Sequence, residues 1–250
     1  MRYSEFLSSV HRLVRPQRYL EIGVRKGMSL ALARCRSVGI DPAYSIEAEL
    51  DADVALFRTT SDEYFARADP LAPVQGEPFD LAFIDGMHLF EFALRDFINA
   101  ERCSRDASVV IFDDMLPRSV DEAARERHTR LWTGDLYPII EVLERYRPEV
   151  ATVLVDTQPT GLLLVVGLDP ASTVLTDNYD EIIASYRRPD PQPVPQILLD
   201  RLTVQPPQRV LDAGFWKVLD EQRAQPSDGF HRALRTQLAV DLGPRYAPRD

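Results

Sequence analysis

Short apolar runs alternate with helix-compatible segments along the first 170 residues, and this alternation constrains the fold more than any other feature. Seven runs have strand length and an aliphatic or aromatic bias: 18–23, 37–41, 54–59, 79–85, 108–114, 151–156 and 161–168. They are continuously apolar, as strands must be when helices cover both faces of a sheet. The pattern therefore predicts an α/β fold with a doubly wound, mostly parallel, seven-stranded sheet.

The segments between the runs are predicted helices, at 28–35, 61–68, 88–103, 119–130 and 137–146. The last two predicted strands are separated by only four residues, 157–160, with Pro159 and Gly161 at the turn. A link of this length allows a hairpin but is too short for a parallel crossover. One closing strand should therefore run antiparallel to its neighbours.

The composition changes after residue 188, since the stretch 187–196 holds four prolines in ten residues. Such a stretch is extended and semi-rigid. We therefore predict a domain over 1–188 and a proline-rich C-terminal extension over 189–250, with short helices at 215–225 and 230–240. The apolar segment 215–219 lies outside the predicted sheet and favours a homo-oligomer. The alternative is a monomer in which this segment folds back onto the body.

The net charge of −10 argues against nucleic acid or an anionic membrane as the main partner, because both require clustered Lys and Arg. No apolar run approaches the roughly 20 residues of a transmembrane helix. The first 16 residues carry charges throughout and lack the apolar core of a signal peptide. Cys35 and Cys103 are predicted to be buried thiols. These features predict a cytoplasmic protein with a small-molecule partner.

The first predicted strand leads into a glycine-containing turn, "EIGVRKGMSL", at residues 21–30. Gly23 permits a tight turn, and Gly27 lets the backbone approach a ligand near free N–H groups. The second strand ends at Asp41, a position from which an acid can bind the hydroxyls of a ribose. Alternatively, the glycines serve the turn only and Asp41 is a turn residue before Pro42. Together the two features favour a cofactor that contains adenosine.

Both NAD and S-adenosylmethionine fit an acid on the ribose. A dehydrogenase normally has a three-glycine turn that packs the pyrophosphate against a helix, and this turn is absent. S-adenosylmethionine has no phosphate, and its ammonium and sulfonium groups favour an acidic neighbour such as Glu21. The closing hairpin also suits a methyltransferase better than a dehydrogenase.

A second group of polar residues follows the fourth and fifth predicted strands. Asp85 and His88 come after the fourth strand, and Asp113 and Asp114 end the fifth. Carboxyl ends of neighbouring parallel strands converge, and clustered carboxylates raise one another's pKa unless a cation lies among them. Oxygen ligands suit Mg²⁺, with Mn²⁺ or Ca²⁺ as substitutes. The alternative is that the acids cap helices or turns.

The motifs "YLEIGVRKGMSL", "GIDP", "TTSDEYF", "FDLAFIDGMHLFEFALRDF", "VVIFDDMLP" and "WTGDLYPIIEVL" occur in this order. Over roughly residues 15–170 the chain resembles a class I S-adenosylmethionine-dependent methyltransferase with a Rossmann-like fold. Within that class it is similar to metal-dependent O-methyltransferases of the macrocin O-methyltransferase type, which modify sugars in biosynthesis. The resemblance implies a Mg²⁺-dependent transferase that methylates a hydroxyl of a sugar, glycoside or saccharide.

The resemblance also implies roles for individual residues. Asp85, Asp113 and Asp114 would bind the metal, and His88 with Asp85 would be catalytic, with His88 as the general base. Related enzymes do not all use the same base, and some have an acid at the position of Met87. The assignment of the base to His88 is therefore left open at this point. Ser61 could instead be a helix N-cap. The predicted cofactor-binding residues are Glu21, Gly23, Gly27, Ser29, Asp41, Ser61, Asp62 and Asp85.

The acceptor is expected to meet the segment 126–135. There Trp132 could stack on a sugar and His128 could contact it, although residues of a solvated helix face would have the same spacing. Two other functions remain open. One is a catechol or phenol O-methyltransferase, which uses the same metal chemistry. The other is a non-catalytic, nucleotide-binding assembly protein that interacts through its proline-rich extension.

Overall fold

A computed structural model describes residues 1–248, and a single seven-stranded sheet runs through it. The strands are β1 (Arg18–Ile22), β2 (Arg36–Ile40), β3 (Val54–Phe57), β4 (Phe79–Ile84), β5 (Ser104–Phe112), β6 (Ala151–Val155) and β7 (Leu162–Val166). Their order is β3-β2-β1-β4-β5-β7-β6. β7 runs antiparallel to both of its neighbours, β5 and β6, and all other pairings are parallel. The predicted α/β fold, with its parallel sheet and antiparallel closing hairpin, is confirmed.

Most of the predicted helices form, and they lie close to the predicted bounds. The helices are α1 (Tyr3–Val14), α2 (Ser61–Phe65), α3 (Phe90–Arg102), α4 (Pro138–Tyr146), α5 (Val174–Asp177), α6 (Tyr179–Tyr186), α7 (Gln196–Leu199), α8 (Pro207–Leu211), α9 (Phe215–Ala224) and α10 (Phe230–Leu242). Five helices, α1, α5, α6, α7 and α8, lie in segments for which the sequence predicted no element.

Two helix predictions are wrong. The segment 28–35 contains only a 3₁₀ turn at Leu30–Leu32, and 119–130 contains only one at Asp121–Ala123. In the second segment, Arg125 instead forms ion pairs with Glu91 and Asp135, which lie outside it. These charged contacts with other elements hold the backbone in an irregular path, in spite of its helical spacing.

Alternate residues of the central strands enter two separate apolar clusters, one on each face of the sheet. In β5, Val110 and Phe112 join the cluster that contains residues of α3 and α4. Val109 and Ile111 join the cluster that contains residues of α1, α9 and α10. The connections from β1 to β2 and from β2 to β3 contain no α-helix. Helices from the two ends of the chain therefore cover this second face.

The proline-rich extension is part of this packing. Phe215, Trp216 and Leu219 of α9 are buried in the second cluster, so the apolar segment 215–219 is covered within one chain. An uncovered apolar segment at 215–219 was the reason to expect an oligomer, and its burial within one chain removes that reason. Gln205 also forms a single bridge with the edge strand β6. The division at residue 188 stays a prediction, and residues 249–250 of the predicted extension lie outside the described residues.

Two findings concern the predictions of buried thiols and of no transmembrane helix. Cys35 and Cys103 are both free thiols, and Cys103 is buried whereas Cys35 is only partly so. Within residues 1–248, no helix has the length and apolar character needed to cross a membrane.

Replacing Phe215 by alanine should test the role of the extension. Phe215 is fully buried, so Phe215→Ala should lower the free energy of unfolding by about 3–5 kcal/mol. Val240 lies in α10 but is 74% exposed. The control Val240→Ala should therefore change the free energy of unfolding by no more than about 0.5 kcal/mol. Urea denaturation measures both values. Equal, small losses would show that the extension does not belong to the folded core.

Candidate functional site

The carboxyl ends of β1, β4 and β5 meet at one edge of the sheet. The backbone N–H of Asp85 donates to the carbonyl of Ile22 over 2.8 Å, and that of Asp113 donates to Ile84 over 3.0 Å. Gly23 has a φ of +90°, and a Cβ there would lie 1.9 Å from the Asp85 carbonyl oxygen. Only glycine therefore allows this approach, which brings the glycine turn beside the acidic residues.

His88 lies between two carboxylates at this edge. Its Nε2 is 2.9 Å from Oδ1 of Asp85, and its Nδ1 is 3.2 Å from Oδ2 of Asp114. One donor atom from each of these three residues lies within 4.8 Å of the others, close enough to share a metal ion. Asp113 is buried behind them, and its Oδ1 accepts a hydrogen bond from the Asp114 N–H. The structure thus groups His88, in place of Asp113, with Asp85 and Asp114.

Burial and mutual repulsion shift the pKa values of these groups. Burial and the charges of Asp114 and Asp85 raise the pKa of Asp113 well above its usual value. Burial and Asp85 also raise the pKa of Asp114 to about 6, although His88 opposes this. For His88, burial lowers the pKa, but the hydrogen bond to Asp85 and the charge of Asp114 produce a net rise. A cation among these groups would relieve the repulsion, so the donor set fits a divalent metal.

Two members of the cluster have left-handed backbone conformations, which are uncommon for residues other than glycine. The φ angles are +57° at His88 and +58° at Asp114. Gly134 packs so tightly on His88 that a Cβ at Gly134 would lie 1.7 Å from the His88 carbonyl oxygen. Thr160 donates a hydrogen bond to Asp114. Such strained residues persist where their surroundings fix them, and they concentrate at functional sites.

Trp132 covers one face of the His88 ring. The two rings are stacked, with centroids 5.3 Å apart and an interplanar angle of 14°. The indole N–H donates to the carbonyl of Ala124 over 2.6 Å, which fixes the ring. Trp132 therefore belongs to the cluster, as a neighbour of the predicted base. His128 is exposed, contacts the Glu126 carbonyl and lies outside the cluster.

Two of the predicted cofactor-binding residues, Glu21 and Ser29, are connected by a hydrogen bond. Glu21 is fully buried and accepts hydrogen bonds from the Tyr19 hydroxyl at 2.7 Å and from Ser29 at 2.8 Å. Burial raises the pKa of Glu21 to about 8, against the opposing effect of these hydrogen bonds. Gly27 has a φ of +78°, as a turn glycine does. Ser29 thus positions the Glu21 carboxyl at the end of β1.

Asp41 has a structural role of its own at the end of β2. One carboxylate oxygen accepts from the Arg25 N–H at 2.7 Å, and the other accepts from the Ala43 N–H at 2.6 Å. The first bond ties Asp41 to the glycine turn, and the second is the turn contact that the sequence left as an alternative. Asp41 therefore links the two loops that the predicted cofactor would contact.

Ser61 and Asp62, which are also predicted cofactor-binding residues, lie at the start of α2. Thr60 is the N-cap of this helix and forms a capping box with Glu63, so the alternative of Ser61 as the N-cap is wrong. Asp62 forms a two-pronged ion pair with Arg95, at 2.8 and 2.7 Å. Ser61 is a neighbour of the buried Asp96 and lowers the pKa of that acid, against the effect of burial.

Asp96 and Tyr3 are the two notable residues that sequence reasoning missed. Asp96 is 3% exposed, and burial raises its pKa to about 7. Its signal is an acid on the apolar face of α3. Tyr3 begins α1 and is half-buried, and burial with the charges of Asp113 and Asp85 raises its pKa to about 12. Nothing in the local sequence marks Tyr3, since only the folded chain brings it near the strand ends.

A groove of about 850 Å³ lies elsewhere, between α4, α6 and the proline-rich segment. Its lining includes Tyr137, Glu141, Tyr186 and Leu198, and no predicted site residue lines it. We place the candidate site at the strand ends, where the titratable groups converge, because groups with strongly shifted pKa values concentrate at functional sites.

Comparison with protein families found a match over part of the sheet. Residues 20–115, which run from β1 to just beyond β5, match the model of a family described as a methyltransferase domain. No match was found among curated proteins.

Solved structures with a similar chain path include several O-methyltransferases. One is the Streptomyces achromogenes O-methyltransferase TomG, involved in tomaymycin synthesis and solved with SAM, at 21% identity and a TM-score of 0.46, covering 67% of this chain and 80% of that one. A Bacillus cereus O-methyltransferase in complex with SAH has 18% identity and a TM-score of 0.46, with coverage of 66% and 80%. A proposed O-methyltransferase from Klebsiella pneumoniae has 20% identity and a TM-score of 0.49, with coverage of 67% and 80%. These likenesses are too distant to assign a ligand to this chain.

Asp96→Asn should change how stability depends on pH. The pKa of Asp96 in the folded protein is about 7, above its usual 3.8, so the folded state favours the protonated acid. That stabilisation is complete below pH 3.8 and is lost as the pH rises through 7. Each pKa unit corresponds to about 1.4 kcal/mol, so the loss of unfolding free energy between low and high pH should be at most several kcal/mol.

Urea denaturation at pH 5 and pH 8 measures this effect. The gain in unfolding free energy of Asp96→Asn over the wild type should grow with pH. The exposed acid Asp228 supplies the control, and Asp228→Asn should leave the pH dependence unchanged. If the unfolding free energies of the wild type and Asp96→Asn changed with pH in parallel, Asp96 would not be a buried, neutral acid in the folded protein.

Proposed function

Because residues 20–115 match the model of a methyltransferase domain, we propose that the protein transfers a methyl group from S-adenosylmethionine to a hydroxyl oxygen of a small-molecule acceptor. The bond between carbon and sulfur breaks, a bond between carbon and the acceptor oxygen forms, and the hydroxyl proton passes to a base. The products are S-adenosylhomocysteine and a methyl ether. The observation that carries the proposal is the cluster of Asp85, His88 and Asp114 beside the glycine turn.

The cofactor-binding residues are proposed as a set that follows the ends of β1 to β4. S-adenosylmethionine supplies an electrophilic methyl group on a cationic sulfur. The buried Glu21 would favour the positive methionine end, and Asp41 would accept hydrogen bonds from the ribose. Ser61 and Asp62 lie at the start of α2, where the adenine would fit. The full set is Glu21, Gly23, Gly27, Ser29, Asp41, Ser61, Asp62 and Asp85.

The metal proposal rests on the donor set and its repulsion. Asp85 and Asp114 would hold Mg²⁺ or Mn²⁺, and Asp113 would add negative charge from behind. A bound divalent ion orients oxygen atoms and lowers the pKa of an acceptor hydroxyl. The non-catalytic alternative is less favoured, because a scaffold without catalysis gains nothing from crowding these carboxylates.

His88 is proposed as the general base. Its Nε2 lies 2.9 Å from Asp85, whose negative charge stabilises the imidazolium that forms when His88 accepts the hydroxyl proton. The stacked Trp132 holds the ring in this orientation. We propose Trp132 as a positioning residue, while contact of His128 with the acceptor stays a prediction.

The proposed acceptor is a sugar, glycoside or saccharide hydroxyl. Its support is the sequence resemblance carried by the segments "IDGMH" and "FDDM". A catechol or phenol uses the same cation and base, so both acceptor classes belong in any test of activity.

Titration calorimetry with S-adenosylmethionine tests the cofactor proposal. The wild type should bind it, and Asp41→Asn should weaken binding about tenfold, because a hydrogen bond to a charged group contributes about 1.5–3 kcal/mol. Asp51→Asn changes an exposed acid of the same connection and should bind like the wild type. A wild-type protein that binds no S-adenosylmethionine would disprove the proposed function.

Removal of the cation or of the base should stop methyl transfer. EDTA should abolish formation of S-adenosylhomocysteine across a panel of glycosides and catechols, and Mg²⁺ should restore it. His88→Ala should lose about 100-fold or more in turnover while still binding the cofactor. The control, His231→Ala, alters a histidine of α10 outside the candidate site and should keep turnover near the wild-type rate. Full activity in EDTA would exclude the metal, and near-normal turnover of His88→Ala would exclude the base.

A further inference from the structure

The loop between β4 and α3 carries His88, and a segment that begins 44 residues further along the chain holds it. The Trp132 ring stacks on the His88 ring, and the Trp132 carbonyl oxygen lies 3.3 Å from His88 Nδ1. Gly134 has a φ of +60° and packs against the His88 carbonyl, where any side chain at Gly134 would collide with it. Both the ring and the backbone of His88 are therefore in contact with residues 132–134.

The next residue, Asp135, supplies a helix cap that the local sequence lacks. Phe90 is the first residue of α3, and the N-cap residue Leu89 forms no side-chain hydrogen bond to the helix. The first N–H groups of a helix have no partner within it, so a buried helix start needs an acceptor from elsewhere. Asp135 is 1% exposed and accepts from the Phe90 N–H over 2.9 Å. It thereby fixes the backbone two residues after His88.

An ion pair fixes Asp135 in turn. Its second carboxylate oxygen pairs with the guanidinium of Arg125, which also forms a two-pronged pair with Glu91 at 2.6 and 3.1 Å. None of these three side chains is more than 15% exposed, and the loss of one partner from such a shielded pair is costly. The backbone N–H of Arg125 donates to the carboxylate of Asp190 at 3.1 Å, so the proline-rich extension supports the same network.

We propose that Asp135 is a positioning residue that holds His88 in the orientation that a general base needs. This inference rests on the proposed function, since it requires His88 in that role. Asp135 acts through the start of α3 and through its neighbours Gly134 and Trp132, not on the reacting atoms. A base must lie within hydrogen-bond distance of the proton that it accepts, and a displacement of about 1 Å costs about 100-fold in rate.

Two substitutions remove the contacts of Asp135 in steps. Asp135→Asn keeps an acceptor for the Phe90 N–H but loses the ion pair with Arg125, and Asp135→Ala loses both. Turnover to S-adenosylhomocysteine, with methyl glucoside and catechol as acceptors, should fall about tenfold in Asp135→Asn and about 100-fold in Asp135→Ala. The affinity for S-adenosylmethionine in titration calorimetry should stay at the wild-type value, because Phe90 and Arg125 lie outside the proposed cofactor-binding set.

A second measurement follows the His88 ring itself and needs no acceptor. A proton that lies over an aromatic ring has an upfield NMR shift, so the stacked Trp132 should shift the ring protons of His88. The His88 signals are assigned by their absence from the spectrum of His88→Ala. Their upfield shift should shrink in Asp135→Asn and disappear in Asp135→Ala, as it would in Trp132→Leu.

Glu101 supplies a matched control for a loss of stability. It is likewise a buried acid that pairs with an arginine, Arg147, and it accepts the Asp169 N–H at 3.0 Å. Glu101 lies in the last turn of α3, whereas the His88 loop precedes the first turn. Glu101→Gln should therefore lower the free energy of unfolding in urea, because it breaks a buried ion pair, but should leave turnover and the His88 shift unchanged.

The outcomes separate this inference from the proposed function. Either wild-type turnover or a wild-type His88 shift in Asp135→Asn overturns the inference and leaves the proposed function intact. Asp135→Asn decides the matter even where Asp135→Ala does not fold. Equal losses in Glu101→Gln also overturn the inference, since lost stability alone would then displace His88. A wild-type protein that binds no S-adenosylmethionine overturns both.

Discussion

The need to cover both faces of the sheet shapes the rest of this structure. The central strands are apolar on both sides, and uncovered apolar surface would face water at a large cost in free energy. The connections from β1 to β3 are too poor in helix to cover one of these faces. Helices from both ends of the chain do so instead, which makes the C-terminal extension part of the core.

This packing has a consequence for the site. Because α1 lies across the sheet, its first turn reaches the edge where β4 and β5 end. The loop 157–161 then bonds to both the chain start and Asp114. The helix that supplies apolar cover therefore also contacts, through its first turn, the loop that bonds to Asp114. Stability and site geometry depend on the same contacts.

Electrostatics accounts for the kind of ligand that the site suits. Asp85, Asp113, Asp114 and the buried Glu21 are four acids near the same strand ends, and His88 pairs with Asp85. Burial raises the pKa of Asp113 and of Glu21, so a bound cation would favour the ionised form of both. Repulsion among such groups is relieved by cations. A divalent metal and a positively charged methyl donor are both cationic, which is why one arrangement of residues supports both proposals.

The sequence by itself determined the strands, their mostly parallel order and the residues at their ends, because continuous apolar runs and turn glycines are local signals. Asp85 and Asp113 could be expected to converge, since parallel strands end at a common edge. The tertiary structure decided what local spacing cannot specify. Ion pairs of Arg125 with distant acids overrode the helical pattern of 119–130. His88 stands between Asp85 and Asp114 because Trp132 and Gly134 pack against it, and such long-range contacts exist only in the folded chain.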